Sequence, residues 1–348
     1  MTESVIIYYF SGTGNSKNVA GWLYENATSI GAKCDLVSIS NLEYPIEKPP
    51  EDTQVIIISP VHGFNYPPLV LKFITRFPKG KNRIVLMCTR AGLLIGKYNL
   101  PGVSGLTFYF SSLILTLKGH KISGMIPVDL PSNWISFHPG LNRPTVDVLY
   151  QKNKKKVQIL AERIFAGKNV WRGLRDIIQD IIVIPISPAY YLVGRFFLAK
   201  TLYASRDCDD CDICLKACPA KGIIKIDNRM YWTFRCESCM KCIANCPKQA
   251  IETAHGFVIG YISLASAITG SLLLLFEKYV LSLESGLVKW IIESAILIFL
   301  LGVAYRIMHY LMRFKWIERM MVYTSLTKFK FWGKIRIRYY KHGNPVVK

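Results

Sequence analysis

Apolar positions bunch into short runs over the first 130 residues and into long runs after residue 255, and the two patterns ask for different structures. Val5–Phe10, Cys34–Ile39, Gln54–Ser59, Arg83–Cys88 and Lys121–Val128 each have the length and β-branched content of a strand. Helix-compatible stretches separate most of them, beginning with Lys17 to about Thr28. The alternation predicts an α/β, doubly wound parallel sheet with helices on both faces. Ligands of such a sheet bind beyond the carboxyl ends of the strands. The apolar stretch from Leu93 to Lys118 is longer than the sheet needs and its role is open, covering a ligand or a partner site being one use its composition allows.

From Gln151 to Lys200 the chain turns basic and then apolar. Ile181–Val193 is short for a bilayer span and carries Pro185 and Pro188, so it reads as a connector, buried or lying at a membrane interface. Beyond it, Gly256–Phe276 holds no charge over a full spanning length. A second candidate span, Leu287–Tyr305, is interrupted by Lys289 and Glu293, four residues apart and able to pair on one helix face. Glu293 is the deeper of the two and a candidate for a proton or partner contact. After Tyr305 come eleven lysines and arginines and one acid, Glu318. That imbalance predicts a helical hairpin with both ends on the cytoplasmic side. The aromatic and basic mixture of Trp316–Tyr340 suits a membrane surface.

Charge sharpens this picture. The 348 residues carry a formal charge of +21, which favours anionic lipid, nucleic acid or acidic proteins as partners. The adjoining apolar helices select lipid and protein, and no nucleic acid is expected. The first apolar run is too short, and lacks the basic leader, for a signal peptide.

Eight of the ten cysteines repeat one spacing. Cys208, Cys211, Cys214 and Cys218-Pro219 form one run; Cys236, Cys239, Cys242 and Cys246-Pro247 form the other. Three thiolates two residues apart wrap three corners of a cubane, and the fourth corner is filled from elsewhere in the chain. Each fourth cysteine therefore serves the other cluster: Cys208, Cys211, Cys214 and Cys246 hold one 4Fe-4S cluster, and Cys236, Cys239, Cys242 and Cys218 the second. Structural zinc would use four ligands in two knuckles, often with histidine, and a disulfide framework would not need such regularity. Residues 203–254 resemble the bacterial two-cluster ferredoxins. Cys34 and Cys88, in strand-like runs, read as small core residues.

The first strand runs straight into Ser11-Gly12-Thr13-Gly14-Asn15-Ser16, followed by a helix. Glycines, hydroxyls and a helix N-terminus make a phosphate cradle. A Walker loop is absent, and Lys17 stands where a dinucleotide fingerprint needs its third glycine, although Asp35 lies where a ribose-binding acid would fall. The loop resembles the FMN phosphate loop of flavodoxins. That resemblance places two further loops, Pro60-Val61-His62-Gly63-Phe64 and Thr89-Arg90-Ala91-Gly92, beside the isoalloxazine ring. Phe64, His62 or Tyr66 would stack on it, and Arg90 would sit near its pyrimidine edge; on composition alone Arg90 and His62 are ordinary polar loop residues.

Phosphate loop, sheet and paired cysteine runs together resemble the EFR1-family ferrodoxins over about residues 4–254. The organisation expected is an FMN domain over 1–150, a linker over 151–202, a ferredoxin-like domain over 203–254, two transmembrane helices over 255–306 and a basic tail over 307–348. The resemblance implies electron transfer. A membrane-anchored relay between an acidic soluble ferredoxin or flavodoxin, two 4Fe-4S clusters, FMN and a quinone or membrane partner is the leading expectation. The alternative is an FMN-dependent reductase of a small molecule, with His62 or Tyr66 as proton donor. A cluster-based oxygen or iron sensor is the third.

Overall fold

The computed structural model describes residues 3–95, 98–137, 139–280 and 286–329. Among the described residues two compact units emerge, one from residues 3–133 with 140–190 and one from residues 134–139 with 191–329.

The first unit is a parallel sheet of β1 (Ser4–Tyr9), β2 (Lys33–Ser38), β3 (Gln54–Pro60), β4 (Arg83–Ile95) and β6 (Lys121–Pro131), in the order β2-β1-β3-β4-β6. This is the flavodoxin-like order of doubly wound sheets, with its reversal between β1 and β3. The near-continuous apolar sequence of β3 follows from burial on both faces. On one face α1 (Asn15–Ser29) and α4 (Arg143–Phe165) seal the core, where Val19, Leu23, Leu160 and Ile164 meet Ile56, Ile58, Met87 and Ile126. On the other lie α2 (Pro68–Arg76) and α3 (Thr107–Leu117). Asn142 caps α4 by accepting from the Thr145 N–H at 3.0 Å.

Three expectations change here. The boundary expected at residue 150 falls inside α4, whose Val157, Leu160 and Phe165 complete the sheet's core, so the unit runs on through a turn and α5 (Ile177–Val183). The stretch from Leu93 to Lys118 is not surplus to the sheet: it holds β5 (Tyr98–Leu100), antiparallel to the end of β4, and α3, the crossover that the parallel β4–β6 pair requires. Thr89–Gly92, expected as a loop, continues β4 in register with Val128–Pro131.

The first unit ends just after α6 (Ile186–Ala189), and the second opens with α7 (Arg195–Ala199). Then β7 (Leu202–Ala204) pairs with β10 (Ile251–Thr253), and β8 (Ile223–Ile226) with β9 (Arg229–Trp232), both antiparallel. Between them sit α8 (Ile213–Ala217) and α9 (Lys241–Asn245). Two long helices follow, α10 (His255–Val280) and α11 (Gly286–Leu311), then α12 (Lys315–Tyr323). The connector 281–285 and the tail beyond residue 329 lie outside the described residues.

Among the described residues, Trp290–Leu311 is long and apolar enough to cross a membrane by length and composition. Its two ends differ. Ile291, Ile296 and Phe299 are exposed, whereas Leu301, Tyr305, Met308 and Met312, one helical stripe, are buried. Tyr305, expected at a membrane edge, donates its hydroxyl to the Leu202 carbonyl at 2.6 Å inside the second unit. The start of the expected surface-lying tail is folded in as well. Glu318 is buried, accepts from the Arg206 backbone N–H at 2.6 Å and pairs with the Arg206 guanidinium, while Trp316, Met320 and Tyr323 form the outer face of α12.

Candidate functional site

The two cysteine runs fold as copies of each other. Asp210 and Ser238 (φ 58° and 49°), then Asp212 and Met240 (58° and 59°), adopt left-handed backbone at positions 28 residues apart. Such conformations are costly for residues with a Cβ and persist where surrounding structure enforces them. In the first run Lys225 bridges the two side chains, its ammonium 2.8 Å from both the Asp210 and the Asp212 carboxylates. After α8 and α9 the correspondence continues. The Gly222 N–H donates to Cys218 Sγ at 3.2 Å, and the Ala250 N–H to Cys246 Sγ at 3.3 Å.

Each fourth cysteine leaves its own run. Cys218, Cys236, Cys239 and Cys242 line one cavity, closed by Leu202, Ile223, Trp232 and Met240. On the other side Cys214 is grouped electrostatically with Cys208, Cys246 and Cys211. Burial first, and the neighbouring sulfurs with it, push the Cys214 thiol up to about 11 and the Cys239 thiol to about 12. Such a crowd of sulfurs calls for a cationic centre to hold it as thiolates. Among the described residues no three His, Cys, Asp or Glu side chains converge as a mononuclear ion requires. The all-thiol donor set, four cysteines to each side, is that of an iron–sulfur cubane. Backbone N–H groups aimed at sulfur, that of Ser238 reaching Cys236 Sγ at 3.4 Å, suit a reducible cluster. The buried Trp232 indole N–H has no conventional partner and faces Cys242, whose ionised form it favours against the effect of burial.

Sequence reasoning missed Lys200. Its side chain is buried, and Nζ donates to the Trp232 carbonyl at 2.6 Å and to the Tyr231 hydroxyl at 3.3 Å. The rings of Tyr231, Phe234 and Tyr305 surround it at 4.4, 4.3 and 4.7 Å. Burial pulls the amine down to about 8, and the charge of Cys236 pulls it back up. The four residues are scattered over a hundred positions, so no local pattern announces them.

In the first unit, the loop after β1 has the makings of a phosphate cradle. Gly14 takes φ 111°, and the Ser11 hydroxyl accepts its N–H at 3.0 Å. The first bond of α1 runs from Asn18 N–H to Gly14 O at 2.9 Å, which leaves the N–H groups of Asn15, Ser16 and Lys17 as the helix's orphan donors. Several side chains of the loop are already engaged. Ser16 Oγ lies 2.9 Å from Thr89 Oγ1; Asn15 donates to Pro131 O at 2.8 Å; Thr13 Oγ1 accepts from Asn133 Nδ2 at 2.6 Å. Backbone N–H groups with Ser11 and Thr13 therefore carry the cradle, and they fit the phosphate of FMN.

The ring-side expectations fare differently. Arg90, expected near the flavin's pyrimidine edge, is buried and paired, with Nε 2.6 Å from Asp129, Nη1 2.7 Å from Asp176 and 3.1 Å from Ser104 Oγ. Tyr66 is fully buried and donates its hydroxyl to the Met87 carbonyl at 2.8 Å, which withdraws it from stacking and from proton donation. Gly63 (φ 55°) packs against the Tyr190 ring, where an added Cβ would overlap Cγ. Val61, His62 and Phe64 are part-exposed and Ala91 is exposed; Thr89 and Gly92 are buried.

Residues 207–251 match the family model of the 4Fe-4S dicluster domain. No curated protein matches the chain. Among solved structures, a short-chain flavodoxin associated with a non-canonical PDU bacterial microcompartment is 12% identical, covering 46% of this chain and 94% of its own, at TM-score 0.33. The flavodoxin of Streptococcus pneumoniae TIGR4 is 11% identical over 47% of this chain and 98% of its own, at TM-score 0.34. Rubredoxin oxygen:oxidoreductase from Desulfovibrio gigas is 15% identical over 46% of this chain and 36% of its own, at TM-score 0.29. The strand order β2-β1-β3-β4-β6 and the family match over residues 207–251 make the chain a flavodoxin-like parallel sheet joined to a 4Fe-4S ferredoxin domain.

Proposed function

We propose that the protein is a membrane-attached electron-transfer protein of the EFR1-ferrodoxin type. The convergence of each fourth cysteine on the other run carries this reading. Cys208, Cys211, Cys214 and Cys246 hold one 4Fe-4S cluster, and Cys218, Cys236, Cys239 and Cys242 the other. The backbone of Ser11–Ser16 holds the phosphate of FMN, with Val61–Phe64 and Ala91 nearest its ring. When bound, these groups convert between the electron pair of a flavin and the single electrons of clusters. The protein's own part is to keep eight sulfurs ionised, screen them from water, and place N–H dipoles where negative charge builds up. No side chain performs acid–base chemistry.

The helices α10 and α11 form the membrane hairpin in this reading, and the eleven basic residues after Tyr305 keep both redox units on the cytoplasmic side. An acidic soluble ferredoxin or flavodoxin docks on the basic surface, and a quinone or membrane redox protein completes the chain of carriers. Anaerobic stopped-flow mixing with a reduced acidic ferredoxin tests this. Reduction of the protein at a rate that falls steeply with ionic strength supports it; transfer insensitive to salt, or none, counts against it.

A further inference from the structure

We propose that the first unit has its own membrane-contact face, the outer side of α5 with the adjoining outer side of α3, which seats on an anionic lipid bilayer. The proposal rests on the membrane-attached reading above, but the face lies on neither of that reading's helices.

Helix α5 is inside out. Its polar side chains are all spent inward. Asp180 is fully buried, and its Oδ1 accepts the N–H groups of Ser104 at 3.0 Å and Gly105 at 2.7 Å. Gln179 Nε2 donates to Gly102 O at 2.9 Å, and Asp176, just before the helix, holds Arg90. With that side tied down, the isoleucines have nowhere to go but out. Ile178 and Ile182 are 76% and 71% exposed, with Ile177 and Ile181 beside them. Helix α3 continues the face: the Tyr109 hydroxyl reaches Asp180 Oδ2 at 3.5 Å, while Leu113 and Leu117 are 57% and 76% exposed. Single exposed leucines need no explanation, but a contiguous aliphatic face held outward by buried carboxylates does.

Three observations select lipid as the occupant. Both acids of this segment are turned inward, and the exposed Arg175 stands at the head of the face, so its rim is cationic. The face joins exposed isoleucines and leucines to exposed Phe110 and Trp171, the apolar mixture of a helix face lying in a membrane interface. The same chain carries a bilayer-length helix, Trp290–Leu311, so a bilayer is the surface it meets. Because Asp180 and Gln179 are bound to the sheet unit, α5 lies along the interface and does not cross it.

The test uses the full chain in nanodiscs, with p-benzoylphenylalanine in place of Ile178 or, separately, of Phe299 on α11, and mass spectrometry of the photoadducts. Expected are lipid adducts at both positions, with the yield at 178 falling several-fold when phosphatidylserine is replaced by phosphatidylcholine and the yield at 299 unchanged. Lipid adducts at 299 with protein adducts or none at 178 overturn this proposal and leave the hairpin standing. Failure at both positions removes the membrane reading as well.

Discussion

Replacing Asp129 with alanine isolates what holds the ligand end of the sheet. Asp129 lies near the end of β6, buried, and its Oδ1 accepts from Arg90 Nε at 2.6 Å and from the Gly102 N–H at 3.0 Å. The substitution leaves a buried guanidinium with one carboxylate, Asp176, and leaves the Gly102 N–H without its acceptor. Removing one partner of a buried pair costs about 3–5 kcal/mol. Asp176 stays 2.7 Å from Nη1 and is less deeply buried, which places the loss at the lower end, about 3 kcal/mol. At about 1.4 kcal/mol per decade that is roughly a hundredfold faster opening. Native-state hydrogen exchange read peptide by peptide is the assay, since it separates the sheet unit from the cluster unit. Amides of β4 and β6 should lose about two decades of protection while those around Cys208–Cys246 keep theirs. Asp129→Asn, which keeps an acceptor for Gly102, should fall between. A change under about fivefold in Asp129→Ala, below 1 kcal/mol, would refute the buried-pair account and return Arg90 to the solvent-facing role its sequence context suggested.

Other consequences are as direct. Cys218→Ser and Cys246→Ser should each remove a ligand of the opposite run's cluster: iron falls from about eight to about four per chain, and the two variants lose different paramagnetic signals. Loss of the same signal in both would break the crosswise arrangement. Lys200→Met removes a buried cation near Cys236 without changing volume much, so the midpoint potential of the cluster held by Cys218, Cys236, Cys239 and Cys242 should move negative; an unmoved potential in a redox titration would deny Lys200 that influence. Gly63→Ala should destabilise the first unit by about 2 kcal/mol or more, through its left-handed backbone and the clash with Tyr190. Tyr190→Ala should recover the steric part in a double-mutant cycle; strictly additive losses would show that the ring does not press there.

What could be read from the sequence was whatever is local and periodic. Five strands and the phosphate loop announce themselves because apolar runs and glycines are contiguous. Helix α3 escaped because Thr107–Leu117 is apolar on its outer as well as its inner side and shows no amphipathic stripe. In α4 the lysine run 154–156 drew attention from Val157, Leu160 and Ile164, whose helical spacing marks a core face. Arg90 and Asp129 are 39 positions apart, and Asp176 is farther still; a long-range ion pair leaves no periodic trace, so Arg90 looked like a loop residue. Tyr305 and Glu318 misled for a related reason, since residues flanking an apolar helix look membrane-edged until the unit that buries them is seen.

The claim on which everything else stands is that eight thiolates hold two cubanes. Anaerobically purified protein, assayed for iron, acid-labile sulfide and zinc and examined by electron paramagnetic resonance after dithionite reduction, puts it to the test. The account predicts brown protein with about eight irons and eight sulfides per chain and signals from two reduced clusters. Colourless protein, zinc in place of iron, or a single cluster of about four irons would contradict it.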